Sequence, residues 1–145
     1  MNSDDYLTVA RSLVGTPFHK RARIAGVGVD CVGVVILVGE ACGETFEDAR
    51  EYKFGYEDNR LLDALRDQLV PIAVEDARPG DVLAFFLENR RIVRHVAILS
   101  DVDRRIIHAH MDNKKVVEGV MGRFWSRRLH SAYRYPGIAH SRGVG

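Results

Sequence analysis

The sequence predicts an α+β domain in which helices come first and a run of antiparallel strands follows. Two observations carry this. Up to Leu69 apolar residues recur at helical spacing, whereas from Asp81 short apolar runs alternate with polar residues and are separated by turn signals. At 145 residues the chain is long enough to bury a core as a single domain, which we expect over 1–140, with 141–145 as a short frayed tail.

Taken in order, Asp4 to Val14 reads as an amphipathic helix, with Leu7, Ala10, Arg11 and Val14 at helical spacing and Ser3 or Asp4 as cap. Gly15-Thr16-Pro17 ends it, and Phe18 to Val29 reads as a loop carrying His19, Lys20, Arg21 and Arg23. The apolar run after Cys31 fits a buried strand or a buried helix by periodicity. An Asp30 cap and the run's extension to Ala41-Cys42 before Gly43 favour helix. Tyr52, Phe54 and Tyr56 alternate in a polar segment, as a short strand or a groove-lining loop. Arg60 to Leu69 is helical, with Leu61, Leu62, Leu65 and Leu69 on one face, and Pro71 stops it. Ala77-Arg78-Pro79-Gly80 is a turn. Strands are expected at Val82 to Leu87, Ile92 to Leu99, Arg105 to His110, Lys115 to Val120 and near Tyr133 to Tyr135, with turns at Glu88–Arg91 and Asp101–Asp103.

Composition removes several function classes. A net charge of +1 gives no global field toward nucleic acid, and the basic loop lacks the interleaved aromatics of a single-strand binder. No apolar run approaches the ~20 residues of a membrane span. The acidic start Met1-Asn2-Ser3-Asp4-Asp5 lacks the pattern of a secretory signal, so the expectation is synthesis in the cytoplasm without a signal peptide. The two cysteines, Cys31 and Cys42, would lie about 16 Å apart on one helix, beyond disulfide reach. Cys42 reads as core.

Chemistry concentrates at Gly28-Val29-Asp30-Cys31-Val32-Gly33. With Asp30 capping a helix, Cys31 takes the first helical position, where the dipole's positive end favours a thiolate. That makes Cys31 a candidate nucleophile, although a free cysteine also serves as a small buried hydrophobe. A base must come from the histidines His19, His95, His108, His110, His130 and His140. His95 lies inside a strong strand, where a lone histidine is more often a satisfied structural residue than a catalyst. His108 and His110, two apart, share one strand face, so alternation does not choose between them. With Asp112 they also suggest a metal site, for which the sequence identifies no further ligand. The sharper reading joins Cys31, His95 and His108 as nucleophile, base and orienting group.

These segments, in this order, resemble the NlpC-type (NlpC/P-sixty) cell-wall cysteine peptidases of the papain-like superfamily. The family's nucleophile segment, Gly-x-Asp-Cys-Ser-Gly-Leu-Val, corresponds to Gly28 through Val35. Its Pro-Gly-Asp-Leu strand start corresponds to Pro79-Gly80-Asp81-Val82, its His-Val-Gly-Ile-Tyr strand to His95-Val96-Ala97-Ile98-Leu99, and its Phe-Ile-His-Ala strand to Ile106-Ile107-His108-Ala109. The entry segment Gly15-Thr16-Pro17-Phe18-His19, with Val32 after the nucleophile, resembles the branch found in phage tails and gene transfer agents.

The resemblance implies a papain-like fold, with a nucleophile-bearing helix packed against an antiparallel sheet that carries His95 and His108. It implies a cysteine peptidase acting on peptidoglycan stem peptides, typically at the γ-D-glutamyl–diaminopimelate bond, with no cofactor and no metal. Phage or gene-transfer-agent tail proteins are the implied partners, and the virion or tail the implied place of action. Asp30, Phe18, His19 and Arg23 are expected on the substrate side. Phe18 stands where many members have tyrosine and Val32 where serine is common, so two polar contacts near the nucleophile are missing. Intact Cys31, His95 and His108 favour catalysis over a non-hydrolytic structural tail module. An acyl transferase or amidase on a non-wall substrate is the other alternative, because one fold hosts several acyl-transfer chemistries.

Overall fold

The structure, a computed structural model, describes residues 2–20, 22–47, 59–101 and 103–142. Arg21, Tyr52, Phe54 and Tyr56 lie outside the described residues. Helix α1 spans Ser3–Ser12 and is capped by Asn2 rather than Ser3 or Asp4. The Asn2 side chain accepts from the Asp4 and Asp5 amides, while Asp5 accepts from the Asn2 amide at 2.7 Å. The stretch expected as a loop contains a small hairpin, β1 (Arg23–Ile24) and β2 (Gly28–Val29). Strands of two residues are too short to leave an alternation in sequence.

Helix α2 (Cys31–Ala41) begins where the Asp30 cap predicts. Its β-branched residues and two glycines make it a weak helix by propensity. Packing compensates: Cys31, Gly33, Val34, Val35, Ile36, Val38 and Gly39 are all buried. Helix α3 (Arg60–Gln68) buries Leu62 and Leu65. Pro71 ends that helix but also lies within a short strand, β3 (Val70–Ile72). A missing N–H is tolerated there because β3 is an edge strand.

One antiparallel sheet of six strands runs in the order β3-β8-β4-β5-β6-β7. Its members are β4 (Val82–Phe86), β5 (Val93–Leu99), β6 (Arg105–His110), β7 (Lys115–Val120) and β8 (Leu129–Arg134). Strand β8 starts well before the predicted Tyr133 and inserts between β3 and β4. Two short helices, α4 (Gly122–Ser126) and α5 (Pro136–Arg142), were not legible in the sequence. Helix α5 reaches into the segment expected to be a frayed tail. The Pro79-Gly80-Asp81 turn is set by Gly80 at φ +98° and by Asp81, which is fully buried and takes a two-pronged ion pair from Arg134 at 2.8 and 2.9 Å.

The two faces of the sheet bury different clusters. Val82, Ala84, Val96, Ile98, Ile107 and Ala109 pack with α1 and α2. Leu83, Phe85, Ala97, Leu99 and Ile106 pack on the other side with Met121 and Trp125. Strands β5 and β6 pair only at Ile98↔Ile107 and Leu99↔Ile106, and then part toward His95 and His108. At the outer edge of β7, the chain from Gly15 to Phe18 exchanges backbone hydrogen bonds with Lys114 and Val116, which covers half of that strand.

Candidate active site

The parting of β5 and β6 creates the site. Leu99 exchanges backbone hydrogen bonds with the β4 side, through Asp81 O and Gly80 N. Alternation then turns the backbone groups of Arg94, Val96 and Ile98 toward β6. Where β6 has moved away, Cys31 takes its place. The Cys31 sulfur lies 4.0 Å from the Arg94 carbonyl and accepts from the Val96 amide. The thiol thus enters the split from the helix side of the sheet.

From the opposite face come the histidines. His95 shares that face with Ala97 and Leu99, and its ring sits beside Phe85 and Trp125. Its Nε2 lies 2.8 Å from His108 Nδ1. Both rings are buried, at 2% and 6% exposure. His110 contacts His95 ring to ring at 5.3 Å but is partly exposed, with its Nδ1 3.7 Å from the Asp112 carboxylate. Geometry therefore separates the two β6 histidines that alternation could not: His108 is within hydrogen-bond distance of His95, and His110 stands at the rim. Among the described residues no group of three or more His, Cys, Asp or Glu side chains is placed to hold a metal.

Burial dominates the electrostatics. The Cys31 thiol is pushed up to about 12, first by desolvation and then by the neighbouring Asp30 carboxylate. The amides of Val96 and Val32 and the Arg23 charge oppose this without reversing it. The expected thiolate is thus not the resting form, because the helix N-terminus that would favour it is neutralised by its own cap and shut from water. His95 is lowered well below 6.5 by burial, then by His108 and His110. His108 is lowered to about 4 by burial and His110. These shifts favour a neutral thiol on Cys31 and neutral imidazoles on His95 and His108 at neutral pH.

Those shifts fix the sign of a pH effect on stability. Between 6.5 and about 4 the unfolded chain binds protons that the folded histidines refuse. Stabilisation is complete above 6.5 and is lost as pH falls through the window. His108 alone corresponds to roughly 3 kcal/mol. The melting temperature should be level from pH 6.5 to about 8, below the range in which an unfolded thiol titrates, and fall toward pH 4, less steeply in His108→Asn. Parallel curves for the two proteins would refute this.

Arg23 and Asp30 occupy a different place from the substrate side expected of them. The Arg23 side chain is 4% exposed and Asp30 fully buried, with Nη1 and Oδ1 2.7 Å apart. The same Oδ1 accepts from Gly33 N at 2.7 Å, and Arg23 also donates to Ala22 O. A Cβ at Gly33 would lie 2.7 Å from that carbonyl, so the first turn of α2 requires glycine there. The pair anchors the start of α2 from behind. Arg23→Ala should cost about 3–5 kcal/mol by leaving a buried carboxylate without this partner. A thermal melt checks this, and a shift of only a degree or two would contradict it. Phe18 is half-buried against the main core, and His19 is exposed. Both hydrogen-bond through their backbones, Phe18 to Lys114 and His19 to Val29, which leads into Asp30.

Trp125 escaped the sequence reading. It stacks on His95 at 4.4 Å and 23°, and touches His108 and His110 edge-on at 5.3 Å each. The signal available was that it is the chain's single tryptophan. Beside it lies a cavity of about 290 Å³, lined by residues that include His108, His110, Asp112, Phe124 and Trp125.

No family profile and no curated protein matches the sequence. Solved structures do. A NlpC/P60 family protein from Bacillus cereus superposes with a TM-score of 0.74 at 20% identity, over 93% of this chain and 40% of that one. The NlpC/p60 domain of the peptidoglycan hydrolase SagA gives 0.64 at 20% identity, over 92% and 98%. RipD from Mycobacterium tuberculosis, described as a non-catalytic NlpC/p60 domain protein adapted to peptidoglycan binding, gives 0.63 at 14% identity, over 92% and 96%. The chain thus spans less than half the length of the Bacillus cereus protein and nearly all of the other two. Helices packed on an antiparallel sheet are the fold this chain shares with the NlpC/P60 proteins.

Proposed function

We propose that this chain is a cysteine peptidase that cleaves peptidoglycan stem peptides at the γ-D-glutamyl–diaminopimelate bond. The observation that carries the reading is the convergence of Cys31 and the His95–His108 pair on the split between β5 and β6. In the assigned roles, His95 carries its proton on Nε2 and donates to His108 Nδ1, which leaves its Nδ1 to take the thiol proton. The sulfur attacks the carbonyl carbon, and the oxyanion is met by the Cys31 amide at the start of α2. His95 passes the proton to the departing amine as the C–N bond breaks. Water then attacks the thioester, giving a proton to His95 and releasing the acid, and the proton returns to sulfur. Phe18 and His19 are assigned to the substrate side, and Arg23 and Asp30 fix the helix start. The likeness of the entry segment Gly15-Thr16-Pro17-Phe18-His19 and of Val32 to the phage-tail and gene-transfer-agent branch supports a tail context for this activity, with tail proteins as partners.

A second reading is a peptidoglycan-binding module without hydrolysis. Its support is that the thiol's hydrogen-bond partner is the Arg94 carbonyl rather than the imidazole. Catalysis therefore requires the thiol hydrogen to turn toward His95 once substrate is bound. Digestion of purified peptidoglycan followed by mass analysis separates the readings. New amino termini on diaminopimelate support the peptidase. Sedimentation with the wall and no release supports the module. Turnover only of other acyl donors identifies a transferase or amidase.

A further inference from the structure

Within the proposed peptidase, we infer that Trp125 is a positioning residue, stacked on the imidazole of His95 to set the plane in which the base meets both His108 and the thiol. The contact is parallel, 4.4 Å between centroids and 23° between planes, whereas the neighbouring ring contacts of Trp125 are edge-on. An indole face and the tilted ring of Phe85, 6.0 Å away between centroids, together leave the His95 ring little freedom to rotate. A strand histidine has two soft side-chain torsions, and a hydrogen bond at Nε2 fixes only the ring's far end. The stack fixes its plane. It also keeps water from that face and so helps hold the base neutral.

The sequence built this contact with a dedicated element. Helix α4 exists between β7 and β8 for five residues and carries Trp125 over the split. Phe124 packs edge-on against Trp125 at 4.9 Å, and the Arg128 guanidinium lies 3.8 Å above the Phe124 ring. That bracing suits a residue whose orientation matters. The titratable groups facing His95 are His108 and His110 from β6, with Asp112 behind His110. Its contacts from β4 and α4 are the uncharged Phe85 and Trp125.

Three substitutions of Trp125 separate stacking from bulk: Phe keeps an aromatic face, Leu keeps apolar volume without one, and Ala removes both. Each is assayed on a stem tripeptide containing the γ-D-glutamyl–diaminopimelate bond, with thermal melts alongside. Trp125→Leu should lose about 10²-fold in kcat with KM nearly unchanged, the size of loss that a small misplacement of a reacting group produces. The acid limb of its profile should move up toward 6.5 as the His95 face becomes wet. Trp125→Phe should recover most of kcat. In parallel, the His95 ring protons of histidine-labelled protein should resonate upfield in the wild type and in Trp125→Phe, and move downfield in Trp125→Leu. Unmoved His95 ring signals in Trp125→Leu, or a loss confined to KM, would overturn the inference. If the wild type cleaves nothing, the peptidase reading fails, while the ring signals still decide the stack.

Discussion

Cys31→Ala is expected to abolish hydrolysis while leaving the protein folded. Losing a nucleophile that acts as a unit with its base costs on the order of 10⁶ in turnover in a serine protease. The fold should lose only about 1 kcal/mol, since one buried sulfur is removed and α2 keeps its cap and its packing. Turnover and a thermal melt together make the test: a variant that still cleaves stem peptide would remove Cys31 from the mechanism. The neutral resting thiol adds a second reading of the same residue. With the thiol at about 12, alkylation of Cys31 by iodoacetamide should climb steadily between pH 7 and pH 9 with no plateau. A plateau at neutral pH would mean that a thiolate–imidazolium pair forms before substrate arrives.

His95→Ala is the second large effect, with an expected loss of the same order, about 10⁶, because base and nucleophile act as a unit. The orienting residue then grades the result. His108→Ala should be strongly impaired, because Nε2 of a buried His95 loses the acceptor 2.8 Å away. His108→Asn or His108→Gln should keep a measurable part of the activity, since an amide oxygen can take that hydrogen bond. His110→Ala should be mild, as its ring touches His95 without a hydrogen bond and stands partly in solvent. A side-by-side turnover assay with melts decides. Severe loss in His110→Ala with mild loss in His108→Ala would mean that the wrong β6 histidine has been placed beside the base.

The elements readable in advance were those with a periodic apolar face or a cap. Asp30 and the run after Cys31 located α2 to the residue. The leucines of α3 and the alternation from Val82 to Val120 located most of the sheet. What was missed is short or conditional on tertiary context: the two-residue strands β1 and β2, the five-residue helix α4, and β3, whose Pro71 argues against a strand until its edge position is known. Site residues divide the same way. Residue type and order singled out Cys31, His95 and His108. Sequence could not distinguish an arginine facing substrate from one sealed against its own helix cap, as Arg23 is, because burial of a charge depends on a partner brought in by the fold. Nor could it bring Trp125, thirty residues downstream in strand order, onto the face of His95.

The two outer strands bear on how the protein behaves in concentrated solution. A six-stranded sheet that does not close on itself presents two rows of backbone groups on which strands of other molecules can assemble. Here β3 is three residues long and has Pro71 at its centre, which removes a donor from its row. On the far side, Gly15 to Phe18 already occupy the donors and acceptors of Lys114 and Val116. What is left of that row, Val117 to Val120, includes the charge of Glu118. Edge-to-edge growth into fibrils is thus blocked at one end by chemistry and at the other by the chain's own entry segment. Cutting back the first eighteen residues would therefore expose a polymerisation edge as well as removing a helix.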